Sequence, residues 1–272
     1  MRIVVIGIGG VGMAHVCAAV RCGFEIVALV DTSSSILKQA TSVWENKWLD
    51  TYETVPVQKD THYLPNINYL LKIESLRSED LIIIIATPPH THETIINFCL
   101  KHFPSRILVE KPIAMVPTNL SDGRLLLSTE WIYHSKTFPT LINTISMRYP
   151  KASTTNWGYA LPAVLDFCPH LFSILLHNGY FFTKITPIKI RKDAFELVVE
   201  EEGGKKINLS GGRLLDEPLD FEGHFGLFIN GILFDWEEDL FDKQLLNIQK
   251  GSKGVEWNLL QQLENQVKKY LS

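Results

Sequence analysis

The sequence predicts an α/β protein in two parts. Residues 1–118 form a doubly wound parallel sheet, and residues 119–272 form an α+β domain built on a mainly antiparallel sheet. Three observations lead there. In the first part, short β-branched runs alternate with helical stretches, the rhythm that produces parallel sheets. A glycine-rich turn separates the first of those runs from the first helix. After Pro117 the strand-like runs lengthen and hairpin signals appear.

The elements follow in order. Residues 3–6 are a continuous β-branched run, as expected of a strand buried on both faces. Residues 7–12 are the glycine-rich turn, 13–22 read as a helix that Gly23 ends, and 25–30 as a second strand closing at Asp31. Within the aromatic and polar stretch 42–78, only 68–76 looks helical. Residues 81–86 are a buried strand, 92–102 a helix and 106–109 a strand. In the second part, 185–190 and 195–200 read as strands, with Glu201-Glu202-Gly203-Gly204-Lys205 as a turn. Asn230-Gly231 at the centre of 225–234 is a strong hairpin signal. A helix starting at Pro169 runs to about Leu176, and an amphipathic helix over 255–271 closes the chain.

Composition narrows the function classes. The chain has 272 residues, 46% hydrophobic and 21% charged, enough to fill two modest cores. A net charge of −4 offers no basic face for nucleic acid or an anionic membrane. The apolar stretch from Ile3 to Val20 superficially resembles a leader, but glycines and His15 interrupt it. Cys17, Cys22, Cys99 and Cys168 form no C-x-x-C pair and no zinc spacing. The expectation is a cytoplasmic protein with reduced thiols, no metal site and a small-molecule substrate.

Gly7-Ile8-Gly9-Gly10-Val11-Gly12 matches G-x-G-x-x-G. Gly7 permits the tight turn, Gly9 lets backbone approach a pyrophosphate, and Gly12 lets helix and strand pack closely. Gly10 and Val11 lie in this turn, and the phosphates would sit on free N–H groups at the positive end of the helix that follows. Asp31 ends the next strand where ribose hydroxyls would lie. Together these predict a Rossmann dinucleotide site. A carboxylate at Asp31 favours NAD over NADP, while the hydroxyls of residues 32–35 leave NADP open.

Ala86-Thr87-Pro88, with His92 following, ends one predicted strand, and Glu110-Lys111-Pro112 ends another. Ligands of open α/β sheets bind beyond the carboxyl ends of the strands, so both motifs point at the cofactor crevice. With the glycine motif they resemble the glucose–fructose oxidoreductase/inositol dehydrogenase (Gfo/Idh/MocA) family. Leu165-Asp166-Phe167-Cys168-Pro169-His170 is similar to that family's D-x-G-x-H segment, with Cys168 in place of the usual glycine and Ser173 where a second aspartate often follows. The second domain is also shorter than is usual in the family.

The resemblance implies hydride transfer between a nicotinamide and a hydroxyl- or carbonyl-bearing carbon of a sugar, sugar nucleotide or cyclitol. Two alternatives stand beside it: an NADPH-dependent reductase of an imine or linear tetrapyrrole, and a non-catalytic dinucleotide-sensing protein. The cofactor-binding candidates are Gly7, Gly9, Gly10, Val11, Gly12, Asp31, Ala86, Thr87, Pro88, His92, Glu110 and Lys111. The catalytic candidates are Lys111, His170 and Asp166. At Lys111, burial and a nicotinamide cation would both favour the free amine. At His170, the positive end of a helix beginning at Pro169 would disfavour imidazolium. Asp166 would orient the histidine or the substrate. The acidic run Glu237-Glu238-Asp239 reads as a solvated turn. An uncovered sheet face in the second domain, with Phe225, Leu227 and Ile229 as apolar area, predicts a homo-oligomer, either dimer or tetramer.

Overall fold

Residues 3–6 and 81–85 are apolar at every position, and both become strands buried on both faces at the centre of a sheet. The computed structural model describes residues 1–40, 43–46, 51–54, 60–77, 80–113, 116, 122–129, 132–133, 138–150, 161–214, 226–234 and 239–271. The elements of the first stretch are β1 (Arg2–Ile6), α1 (Gly10–Arg21), β2 (Glu25–Val30), α2 (Ser34–Gln39), β3 (Val43–Asn46), β4 (Thr51–Thr54), β5 (His62–Leu64), β6 (Leu81–Ile85), α3 (His92–His102), β7 (Arg106–Val109) and β8 (Leu125–Leu127). They continue with β9 (Thr144–Pro150), α4 (Ala163–His177), β10 (Phe182–Ile190), β11 (Ala194–Glu201), β12 (Lys206–Leu214), β13 (Gly226–Ile229), β14 (Ile232–Phe234), α5 (Leu240–Gln249) and α6 (Trp257–Lys268).

The described residues gather into two compact units. One comprises Met1–Asn46, Asp50–Glu130 and Glu238–Asn258, and the other Trp131–Glu237 and Leu259–Ser272. The chain thus leaves the first unit near residue 130 and returns to it with α5, well beyond the 118/119 division drawn from sequence. Arg21 at the end of α1 fastens α5 by ion pairs to Asp239 at 3.2 Å and Asp242 at 2.7 Å.

The first unit holds a six-stranded parallel sheet in the order β5-β2-β1-β6-β7-β8. The strand order reverses between β1 and β6, which is where ligands of doubly wound sheets bind. The second unit holds a six-stranded sheet in the order β10-β11-β12-β9-β13-β14, antiparallel except for the parallel β12–β9 pair. Its alternation is regular. Phe195, Leu197, Val199, Ile207, Leu209, Ile145 and Met147 are buried, and α4 packs on β9, β11 and β12. Glu196, Val198, Asn208, Ser210 and Phe228 alternate with them and stay more open. Gly211 has no room for a side chain, since a Cβ would lie 2.5 Å from the Phe195 ring and 2.8 Å from that of Phe167 on α4.

Several expectations need correction. The helix placed at Pro169 begins at Ala163, so Pro169 is interior and His170 sits in mid-helix, away from the positive end. The apolar length of 163–176 carries the helix through the proline, whose start-of-helix preference loses to burial. Leu227 and Ile229 are buried and unavailable to a partner; Phe225 lies outside the described residues. Asp239 does not belong to a solvated turn: its carboxylate caps α5 by accepting from the Phe241 and Asp242 N–H groups. Glu237 and Glu238 lie outside the described residues. The helix expected over 68–76 is two short 3₁₀ turns, Ile67–Lys72 and Glu74–Arg77.

Candidate active site

Three strand ends build the crevice of the first unit. Gly7 follows β1 with φ +84°, a backbone conformation that favours glycine. A Cβ there would lie 2.8 Å from the Ala86 carbonyl oxygen and 2.7 Å from the Thr87 methyl. The glycine loop therefore packs directly on the Ala86-Thr87-Pro88 turn after β6. A Cβ on Gly12 would overlap the Gly7 carbonyl oxygen, so the start of α1 can approach β1 only without a side chain. At Gly9 nothing lies within 4 Å of the added atom. Gly9 is the N-cap of α1 and supplies no side-chain cap, which leaves the first-turn N–H groups, those of Gly10 and Val11 among them, for an anion. An open approach above Gly9, walled by tight packing at Gly7 and Gly12, fits a dinucleotide pyrophosphate.

Asp31 follows β2. One carboxylate oxygen accepts the Ile8 N–H at 3.0 Å and the other the Ser33 N–H at 2.8 Å. The carboxylate expected to meet a ribose thus also ties the glycine loop to the end of β2. His92 is fully buried at the start of α3, and its Nε2 lies 2.8 Å from the Thr87 carbonyl oxygen. Burial pushes its pKa down, against the opposing effects of the Thr87 carbonyl and the Glu110 charge. A neutral ring donating Nε2–H to Thr87 holds the Ala86-Thr87-Pro88 turn in place.

Glu110 and Lys111 follow β7, and the Lys111–Pro112 peptide is cis. Lys111 is half-buried. Glu110 is only 7% exposed, and its Oε1 lies 2.7 Å from Nε2 of His15, a fully buried residue of α1. Burial pushes the Glu110 carboxyl up. The His15 hydrogen bond, the charges of His15 and Lys111, and a Ser128 hydrogen bond more than offset this and hold it below its usual range. The carboxylate is therefore ionised. Ser128 Oγ lies 3.3 Å from the amide oxygen of Gln244 on α5, and the Phe241 ring meets His15 edge-on at 4.8 Å.

In the second unit, α4 carries Asp166 and His170 one turn apart, on one side of the helix. Arg213 of β12 donates to Asp166 at 2.9 Å and to the Leu161 carbonyl at 3.3 Å. His170 is buried. Burial and then the charge of Glu264 push the Cys168 thiol well up, so it is a packed thiol and no nucleophile. Sequence reasoning missed His15, Ser128, Gln244 and Arg213. His15 had a signal, a histidine on an otherwise apolar helix face, whereas the other three are recruited from distant strands and helices and carry no local pattern.

A parallel sheet with a glycine cradle at its reversal point and a charged Glu-Lys pair at a neighbouring strand end defines the class, an NAD-binding oxidoreductase. Residues 1–130 match the family described as "Oxidoreductase family, NAD-binding Rossmann fold" (GFO_IDH_MocA). Over those residues the match agrees with the resemblance to the Gfo/Idh/MocA oxidoreductases that the motifs carry. No curated protein matches by sequence. Among solved structures, the chain is similar to the WlbA (WbpB) dehydrogenase of Thermus thermophilus in complex with NAD and UDP-GlcNAcA, with 14% identity, TM-score 0.69 and coverage of 98% of this chain and 94% of that one. It is likewise similar to UDP-N-acetylglucosamine 3-dehydrogenase GnnA of Acidithiobacillus ferrooxidans, with 14% identity, TM-score 0.68 and coverage of 98% and 96%. A myo-inositol dehydrogenase of Corynebacterium glutamicum shares 11% identity, with TM-score 0.62 and coverage of 97% and 94%. Both units therefore share the fold of these dehydrogenases over nearly their full length, so the second domain is not markedly shortened against them.

Proposed function

We propose that the protein oxidises or reduces a hydroxyl- or carbonyl-bearing carbon of a sugar nucleotide, sugar or cyclitol, with Lys111 handling the proton of the reacting oxygen. The observation that carries this reading is the placement of Lys111. It is half-buried, beside an ionised buried carboxylate, at the end of the β7 strand that neighbours the switch point. The substrate class is supported by what the similar structures bind or act on by name, UDP-GlcNAcA, UDP-N-acetylglucosamine and myo-inositol.

NAD, when bound, supplies the hydride acceptor or donor. This chain's residues do the rest. The glycine loop and α1 hold the pyrophosphate, Asp31 accepts from the ribose hydroxyls and disfavours a 2′-phosphate, and Ala86, Thr87 and Pro88 bound the crevice with Glu110. Lys111 hydrogen-bonds the reacting oxygen and takes up or returns its proton. On α4 of the second unit His170 is the proton-handling candidate, and Asp166, anchored by Arg213, keeps the helix face that carries it in orientation.

The protein acts in the cytoplasm as a homo-oligomer joined through the open face of the second sheet. Four free thiols support the compartment, and no helix among the described residues is long and apolar enough to cross a membrane. The test is a screen of UDP-sugars, free sugars and cyclitols for appearance of NADH absorbance. Turnover of a member of these classes supports the proposal. Turnover confined to an imine or linear tetrapyrrole with NADPH, or NAD(H) binding without turnover of any compound, contradicts it.

A further inference from the structure

Two consecutive hydrogen bonds tie the glycine loop to the end of β2. The Gly7 N–H donates to the Val30 carbonyl at 2.8 Å. The Ile8 N–H donates to one carboxylate oxygen of Asp31 at 3.0 Å, across 23 residues of chain. The other carboxylate oxygen accepts the Ser33 N–H at 2.8 Å, and the Asp31 N–H donates to the Leu64 carbonyl of β5 at 3.1 Å. Asp31 is thus held by its own backbone and by both of its oxygens, and the backbone of Ile8 leans on it.

Ile8 is 1% exposed. Without the carboxylate its N–H would be a buried donor lacking an acceptor, a costly state that the loop can leave only by moving. Ile8 stands between Gly7, which packs against Ala86 and Thr87, and Gly9, the N-cap of α1. Any movement of Ile8 is therefore passed to the N–H groups at the start of α1. The carboxylate still has room for a sugar. It offers about four lone-pair positions, of which the two backbone N–H groups fill one on each oxygen. The two that remain match the 2′- and 3′-hydroxyls of a ribose.

We propose that Asp31 is a positioning residue for the pyrophosphate cradle in addition to its ribose contact: its carboxylate clamps the Ile8 N–H and so presets the glycine loop that receives the phosphates. This rests on the reading of the crevice as a dinucleotide site. A carboxylate serving the ribose alone would matter only to ligands that carry hydroxyls there. A clamp matters to every dinucleotide, whatever its ribose carries.

The test removes the ribose contact from the ligand and the clamp from the protein in turn. Full-length wild type, Asp31→Ala and Asp31→Asn are titrated by calorimetry with NADH and with its analogue in which hydrogen replaces the 2′- and 3′-hydroxyls of the adenosine ribose. The analogue offers Asp31 no hydroxyl, so a ribose-only role leaves its affinity the same in all three proteins. The clamp predicts that Asp31→Ala weakens the analogue about five- to twentyfold, because the ligand must then order the loop. Asp31→Asn keeps one acceptor oxygen for two donors and should weaken it about three- to tenfold. A second readout needs no ligand: in the cofactor-free variants the Ile8 amide should exchange with deuterium at least about tenfold faster than in wild type. Thermal melts establish that each variant is folded, and either folded variant suffices. Analogue affinity within about twofold of wild type in a folded variant, or an unchanged Ile8 exchange rate, overturns the clamp. Failure of the ribose contact is a separate result, equal wild-type affinities for NADH and the analogue, and the clamp then stands on the loss of both in the variants. A wild type that binds neither ligand overturns the dinucleotide reading and with it the clamp's role.

Discussion

Gly9 and Gly12 stand three residues apart in one motif, yet the structure gives them opposite consequences. A methyl on Gly9 meets nothing within 4 Å, and Gly9 has φ −63°, which any L-residue can adopt. Gly9→Ala should leave the melting temperature within a degree or two of wild type while weakening NADH binding by about tenfold or more, since the methyl occupies the pyrophosphate's approach. Gly12→Val must push against the Gly7 carbonyl, so it should lose NADH binding and stability together. Calorimetry with NADH beside thermal melts separates the two. Unchanged NADH affinity in a folded Gly9→Ala protein would contradict the cradle. At His92 the folded-state pKa lies below the ordinary 6.5. The unfolded chain therefore binds the proton more readily, and the stability this histidine contributes is full above about pH 6.5 and drains away as the pH falls below it. The melting temperature should accordingly fall less steeply between pH 6.5 and 5 in His92→Gln than in wild type. Equal slopes would contradict the buried neutral imidazole.

At the scale of elements, legibility followed locality. The strands 25–30 and 106–109 and the helix 92–102 have the bounds that the sequence predicts, because alternation and end signals lie inside each segment. The Asn230-Gly231 turn is equally local. Both residues take positive φ, 53° and 79°, as a two-residue hairpin between β13 and β14 demands. What local pattern could not show was recruitment. Strands β8 and β9 are short or polar-flanked and become strands only because the neighbours β7 and β12 pair with them. Helix α4 runs through Pro169 because nearly all of its residues are buried. The polar partners of Glu110 come from α1 and from the segment after β8, more than a hundred residues apart, and the latter meets Gln244 of α5 in turn. The Asn230 side chain shows how an element is fastened. Its oxygen accepts from the Asn143 and Thr144 N–H groups at 2.8 and 3.2 Å, and its nitrogen donates to the Leu141 carbonyl at 2.7 Å. Asn230→Ala forfeits these bonds and puts at positive φ a residue that tolerates it less well than asparagine, for an expected loss of about 2 kcal/mol in chemical denaturation. A loss below about 0.5 kcal/mol would mean that the turn is held by Gly231 alone.

For the whole molecule, the homo-oligomer proposed above rests on the second sheet. With Leu227 and Ile229 buried, the surface left for a partner is the mixed face carrying Glu196, Val198, Ser210 and Phe228, together with exposed Ile188 on the edge strand β10. Light scattering should give a mass of at least twice the 30.9 kDa chain. Val198→Asp should halve it or reduce it further, because a charge would be buried in the joint. A wild-type monomer at micromolar concentration contradicts this.

The central claim, that Lys111 handles the proton of the reacting oxygen in an NAD-dependent reaction, is tested most directly by measuring turnover and NADH affinity side by side in Lys111→Ala, with the substrate found in the screen. A proton-handling group of this kind contributes roughly 10²–10⁴-fold. The expected result is therefore a fall of that size in kcat with the NADH dissociation constant within about threefold of wild type, and little rescue in Lys111→Arg, whose guanidinium does not release its proton near neutral pH. Loss of NADH binding in step with turnover, or turnover equal to wild type, would contradict it.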